Sequence, residues 1–224
     1  MKKFYEKSAV WFSLMWLFIY VILTSVTDSV SADIGMEKCL TAPFHLILSV
    51  ILTAVIARLG IAGKTGFAKP SGSMTRYLFF IPLIAVSTVN FWCGVTGDNL
   101  PFPAVIFYCV SMVLAGFIEE VIFRGLLFGA MLKGCKPWIA VLVVSLTFGF
   151  GHIVNLIRGA QDTFETVLQI FYACALGFMF TILVYKGKSL IPGILSHAFI
   201  NGTSTFSTEP APEVLIIISV IISL

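Results

Sequence analysis

The chain has 224 residues, 58% of them hydrophobic and 11% charged, with a mean hydropathy of +1.02. Soluble domains run at about 45–50% apolar and about 25% charged, so this composition excludes a water-covered globule and makes lipid the solvent for most of the surface. A formal charge of +3 is too small to point to nucleic acid, and five scattered cysteines (Cys39, Cys93, Cys109, Cys135, Cys174) without a CxxC spacing argue against a disulfide framework.

A helix needs about 20 apolar residues to cross the hydrocarbon core. On that template the chain predicts spans near Ser8–Thr27, Pro43–Ile61, Tyr77–Val95, Ala104–Leu132, Trp138–Val154, Thr163–Tyr185 and Ser189–Thr205, with Val214–Leu224 as a short eighth. The expectation is an all-α polytopic membrane bundle of seven to eight transmembrane helices, folded as one integral membrane domain over residues 1–224. Lys2, Lys3 and Lys7 ahead of an apolar run, with Val30-Ser31-Ala32 behind it, imitate a secretory signal. The run from Ser8 to about Ser25 exceeds the roughly 7–15 residues of a signal core, so it is expected to stay as the first span. Ala104–Leu132 is too long for a straight crossing and is expected to tilt or to end beyond the lipid. The loop Gly60–Ser73, rich in Gly, Lys and Ser, reads as a connection.

Charge placement orients the bundle. With the N-terminus in the cytoplasm, Lys2, Lys3, Lys7, Arg58, Lys64, Lys69, Arg76, Lys133, Lys136, Lys186 and Lys188 all fall inside. Only Lys38 and Arg158 fall outside, together with Asp28, Asp33, Glu37, Asp98, Asp162, Glu165, Glu209 and Glu213.

Three ionisable residues remain within the fourth span: Glu119, Glu120 and Arg124. Each would cost on the order of 2.5–3.5 kcal/mol at mid-membrane if unpaired. Glu120 and Arg124, at i and i+4, are expected to form an ion pair. Glu119 lies about 100° around the helix and has no local partner. His152 follows Phe148-Gly149-Phe150-Gly151 and precedes Asn155, while His197 and Asn201 share one helix face. His45, just after Pro43, is expected at the membrane interface. Gly149 and Gly151 are expected to let a backbone or a substrate approach His152. The GxxxG of Gly125 and Gly129 reads as helix packing.

Glu119, His152, His197 and Asn201 suffice for hydrolysis of an acyl bond. A carboxylate in a poorly solvated site serves as general base on water. One histidine shares the proton, and the other, with the asparagine amide, donates to the oxyanion. Glu119, His152 and His197 equally make a zinc ligand set with water in the fourth position. The residues leave both arrangements open. There is no HExxH helix, no GxSxG elbow and no acid in any other span to make an aspartyl pair with Glu119.

Glu119 to Arg124 spells EExxxR, Phe148 to His152 spells FxxxH, and His197 to Asn201 spells HxxxN. In that order, on separate helices, these motifs resemble the CAAX prenyl protease and bacteriocin-processing (CPBP, or Abi) family. The resemblance covers about Ala104–Thr205, the motif-bearing core. It implies an intramembrane endopeptidase in which Glu119 and His152 activate water and His197 and Asn201 stabilise the oxyanion. Glu120, Arg124 and Phe148 would support them. The substrate would be a peptide or membrane-associated protein and the other partner the lipid bilayer; the strongly apolar composition, with no organelle targeting or retention signal, suits the plasma membrane of a bacterium. Two other functions fit the same polar cluster. One is a non-catalytic membrane adaptor or bacteriocin self-immunity protein. The other is a proton-relay transporter, although no inverted repeat is evident.

Overall fold

Lipid offers no hydrogen bonds, so long apolar segments must satisfy their backbone groups internally, and helix is the local solution. The structure, a computed structural model, describes residues 1–70, 81–97, 99–208 and 212–223. A short helix α1 (Lys2–Lys7) precedes α2 (Ala9–Asp33), with Ser8 in an extended conformation between them, its side chain accepting from the Trp11 amide at 3.4 Å. Helix α3 (Thr41–Leu59) stops at Gly60, whose φ of 66° is the left-handed conformation that ends helices. After α4 (Ile81–Ser87) and a 3-10 turn comes α5 (Ala104–Glu119), which runs on through a π-helical segment (Glu120–Phe128) into α6 (Gly129–Met131). Then follow α7 (Pro137–Gly151), α8 (Ile153–Ile157), α9 (Thr163–Gly187), α10 (Ile191–Thr203) and α11 (Pro212–Ser223). Among the described residues no sheet forms; a single bridge pairs Val95 with Ser207.

Five helices among these residues are long and apolar enough to cross a membrane: Ala9–Asp33, Thr41–Leu59, Ala104–Met131, Pro137–Ile157 and Thr163–Gly187. They match five of the predicted spans. The predicted span Tyr77–Val95 begins outside the described residues, as do Arg76, Asp98 and Glu209 of the charge assignment. Its described part is only the seven residues of α4 and the turn after it. Helix α10, at 13 residues, is shorter than the predicted Ser189–Thr205. At about 1.5 Å per residue it reaches only about 20 Å, and a 3-10 turn over Ser204–Phe206 ends it. The length of the fourth span has its own explanation. Its second half is wound as a π-helix, with bonds to the fifth residue on, and all nine of those residues are buried.

Helix α5 lies between α3 and α10, α7 packs on α9, and α2 runs along the π segment. Two glycines set close crossings. A Cβ on Gly116 would stand 2.8 Å from the Ala198 amide nitrogen and 3.0 Å from its Cα, so α5 and α10 meet backbone to backbone. At Gly149, expected to let a backbone or a substrate come close, it is the α9 backbone that does so. A Cβ there would lie 2.8 Å from the Cys174 amide nitrogen and 2.9 Å from the Ile170 carbonyl, both on α9. Only Gly151 faces open space.

His45 is 2% exposed, because polar groups on two neighbouring helices take both ring nitrogens. Nε2 lies 3.0 Å from Thr24 Oγ1, and Nδ1 lies 2.9 Å from the Ser111 carbonyl.

The two ends of the bundle gather different charges. At the N-terminal end of α2, Lys2, Lys7, Lys64 and Lys133 line a cavity of about 550 Å³. At its C-terminal end Asp28 takes Lys38 at 2.8 Å and Arg158 at 3.1 Å, and accepts from Thr41.

Gly116→Val puts a branched side chain against α10 backbone that cannot move aside. The expected cost is about 1–3 kcal/mol from overpacking, read as a lowered Tm of the detergent-solubilised protein.

Candidate active site

The EExxxR motif straddles the junction of two helical forms: Glu119 ends α5, and Glu120 opens the π segment. Glu120 is 0% exposed and Arg124 1%. Neither charge survives there alone, and Arg124 Nη1 lies 2.9 Å from Glu120 Oε1. The guanidinium also lies over aromatic faces, 4.3 Å from the Phe148 ring centre and 5.5 Å from that of Phe180. An arginine is the cation suited to this, being planar and weakly hydrated.

Phe148 is a shared wall. His152 meets it edge-on at 5.5 Å, and His197 does so at 5.6 Å. His197 also stacks on Phe180 at 5.4 Å. Helix α10 brings His197 between the two acids, with Nδ1 3.0 Å from Glu120 Oε1 and Nε2 3.3 Å from Glu119 Oε2. The other Glu119 oxygen, Oε1, accepts from the Tyr20 hydroxyl at 2.7 Å.

Proton positions follow from this network. Glu120 Oε1 receives Arg124, so it acts as an acceptor and His197 donates to it from Nδ1. His197 Nε2 then faces Glu119 Oε2.

The structure thus brings together Glu119, Glu120, Arg124, Phe148 and His197. His152 also packs on Phe148, half-buried, within electrostatic reach of Glu119 and His197. Asn201 lies one turn beyond His197, also half-buried. Asn155, noted beside His152, turns away to Gln169 at 2.8 Å and Gln161 at 3.3 Å.

The zinc alternative needs His152, His197 and Glu119 around one point. Among the described residues no group of three His, Cys, Asp or Glu is disposed to hold a metal. His197 already turns one nitrogen to each carboxylate.

Tyr20 is the site neighbour that sequence reading missed. The available signal was a polar stripe in the first span, with Tyr20, Thr24 and Asp28 at four-residue intervals. Each of the three bonds to another helix or loop: Tyr20 to Glu119, Thr24 to His45, and Asp28 to Lys38, Thr41 and Arg158.

Residues 101–203 match the family model described as Type II CAAX prenyl endopeptidase Rce1-like. The match bears out the resemblance carried by EExxxR, FxxxH and HxxxN, all of which lie within it. It supports a CAAX-type protease kind of function in a multi-pass membrane chain. No curated protein and no solved structure matches the chain.

Arg124→Met strands the Glu120 charge and is expected to cost about 3–5 kcal/mol, seen as a fall in Tm. Glu120→Gln combined with Arg124→Met is expected to recover much of that loss. A double variant no more stable than Arg124→Met alone would show that the ion pair is not what the cost reflects.

Proposed function

We propose, from the Rce1-like match and the geometry around Phe148, that this protein is an intramembrane endopeptidase whose water nucleophile is activated by Glu119 and His152. The observation that carries the reading is the approach of His197 to Glu119 at 3.3 Å, with His152 against the same phenylalanine. The substrate is a peptide or a membrane-associated protein, and the N-terminus faces the cytoplasm. Gathering of the inner lysines at one end of α2, and of Asp28, Lys38 and Arg158 at the other, supports that orientation.

In this mechanism water sits between Glu119 and His152. Glu119 Oε2 takes its proton as the oxygen attacks the scissile carbonyl carbon. His152 orients the water and shares the proton. The oxyanion that develops accepts from His197 Nε2 and from the Asn201 amide. The C–N bond then breaks, and the proton taken from water passes to the leaving amine. Glu120, fixed by Arg124, holds His197 by Nδ1 so that Nε2 points at the reacting atoms. The apolar bundle excludes competing water and strengthens each of these interactions.

Released peptides from cells carrying wild type or Glu119→Gln, at equal membrane abundance, are compared by mass spectrometry. Peptides present only with wild type are expected; identical sets would overturn the assignment. Cleavage is expected to persist in a membrane-permeant chelator, which separates glutamate chemistry from metal-assisted chemistry.

A further inference from the structure

Tyr20 lies in α2, about eighty residues before the segment that matches the family model (a separation readable from the sequence, on the order of a quarter or more of a typical domain's length). Its hydroxyl nevertheless makes the shortest hydrogen bond to either motif glutamate, 2.7 Å to Glu119 Oε1. The ring is 8% exposed, so the phenol needs a buried acceptor. Any carbonyl would meet that need. Instead it takes one specific carboxylate oxygen and leaves Oε2 turned toward His197 Nε2.

The contact is built, not incidental. Tyr20 lies against the His45 ring at 5.6 Å between centres. His45 is itself pinned between Thr24 of α2 and Ser111 of α5. The bond that fixes His45 to Ser111 lies two turns before Glu119 on α5, so the phenol and its acceptor are registered by one interlocked set. Trp16 and Phe12, on the same side of α2, join the core that holds Ile118, Val121 and Ile122 around the glutamates.

We infer that Tyr20 is a positioning residue for the reaction at Glu119: it occupies Oε1, so that Oε2 alone addresses water, and it makes the first helix part of the catalytic centre. This rests on the reading of Glu119 as the water-activating base. A carboxylate freed from the phenol rotates about its last bond and presents Oε2 in the reactive direction for less of the time. Turnover suffers, while substrate binding, which does not involve Tyr20, is unaffected.

Full-length protein in proteoliposomes, with a peptide substrate identified by the released-peptide comparison, provides the test. Tyr20→Phe keeps the ring and deletes only the oxygen. The expected result is a kcat lower by roughly 10- to 100-fold, the range for losing a hydrogen bond to a charged group. KM is expected within about twofold of wild type, with a Tm that falls but stays well above the assay temperature, since a buried hydrogen bond is lost. Adding Tyr20→Phe to Glu119→Gln is expected to change nothing more. Wild-type kcat in Tyr20→Phe, with Glu119→Gln inactive, would overturn the inference and leave the protease reading intact. A fall in Tm that accounts for the lost activity would overturn it too, by making the role structural. Full activity in Glu119→Gln would remove the base assignment and this inference with it.

Discussion

The ion pair between Glu120 and Arg124 is the constraint on which the centre of the molecule depends. Two charges enclosed by lipid-facing helices are tolerable only if each has its counterpart, and their 2.9 Å contact supplies it. The remaining features answer to that pair. The π segment that carries both residues is buried at every position. Phe148 and Phe180 come from two other helices to cover the guanidinium. His197 then uses the Glu120 oxygen already held by Arg124 as its anchor. A pair that serves only stability would be a poor choice in such a place, since apolar residues pack there at lower cost. It earns its position by fixing the direction of an imidazole.

Much of this was legible in the sequence. Glu119, Glu120 and Arg124 stand out because ionisable groups are costly in a span, and the i,i+4 spacing of Glu120 and Arg124 is what a helix needs to pair them. His197 was grouped with Glu119 from the residues alone, but Tyr20 was not legible as a partner, because it comes from α2 and no periodicity within one helix reports on another. His45 shows the same limit. Its contacts with Thr24 and Ser111, distant in sequence, bury it between helices in a way its own neighbours do not announce. Gly149 was expected to admit a backbone or a substrate, and what it admits is the α9 backbone. A glycine in sequence announces a close approach without saying to what. The five long spans followed directly from apolar length, whereas α10 is shorter than the apolar run that contains it, since Pro192 begins the helix and a 3-10 turn ends it.

The centre is also assembled from a wider stretch of chain than its motifs occupy. The motifs run from Glu119 to Asn201, and the family match from 101 to 203. Yet Tyr20 bonds to Glu119, and Asp28, two turns further along α2, bonds to Arg158 shortly after His152. One helix from outside the matched segment therefore braces two of its motif-bearing elements, at points about 12 Å apart along its axis by helical rise. Glu119 and the segment that follows His152 are held to a common frame.

The Gly116 crossing acts as a mechanical stop. The separation between the helix of the acids and the helix of His197 is set where main chain rests on main chain, with no side chain interposed. Such a spacing does not drift when neighbouring side chains are exchanged, because none of them enters the contact. Sequence change can therefore reshape the surroundings of the site, through α7 and α9, while the gauge between glutamate and histidine stays constant.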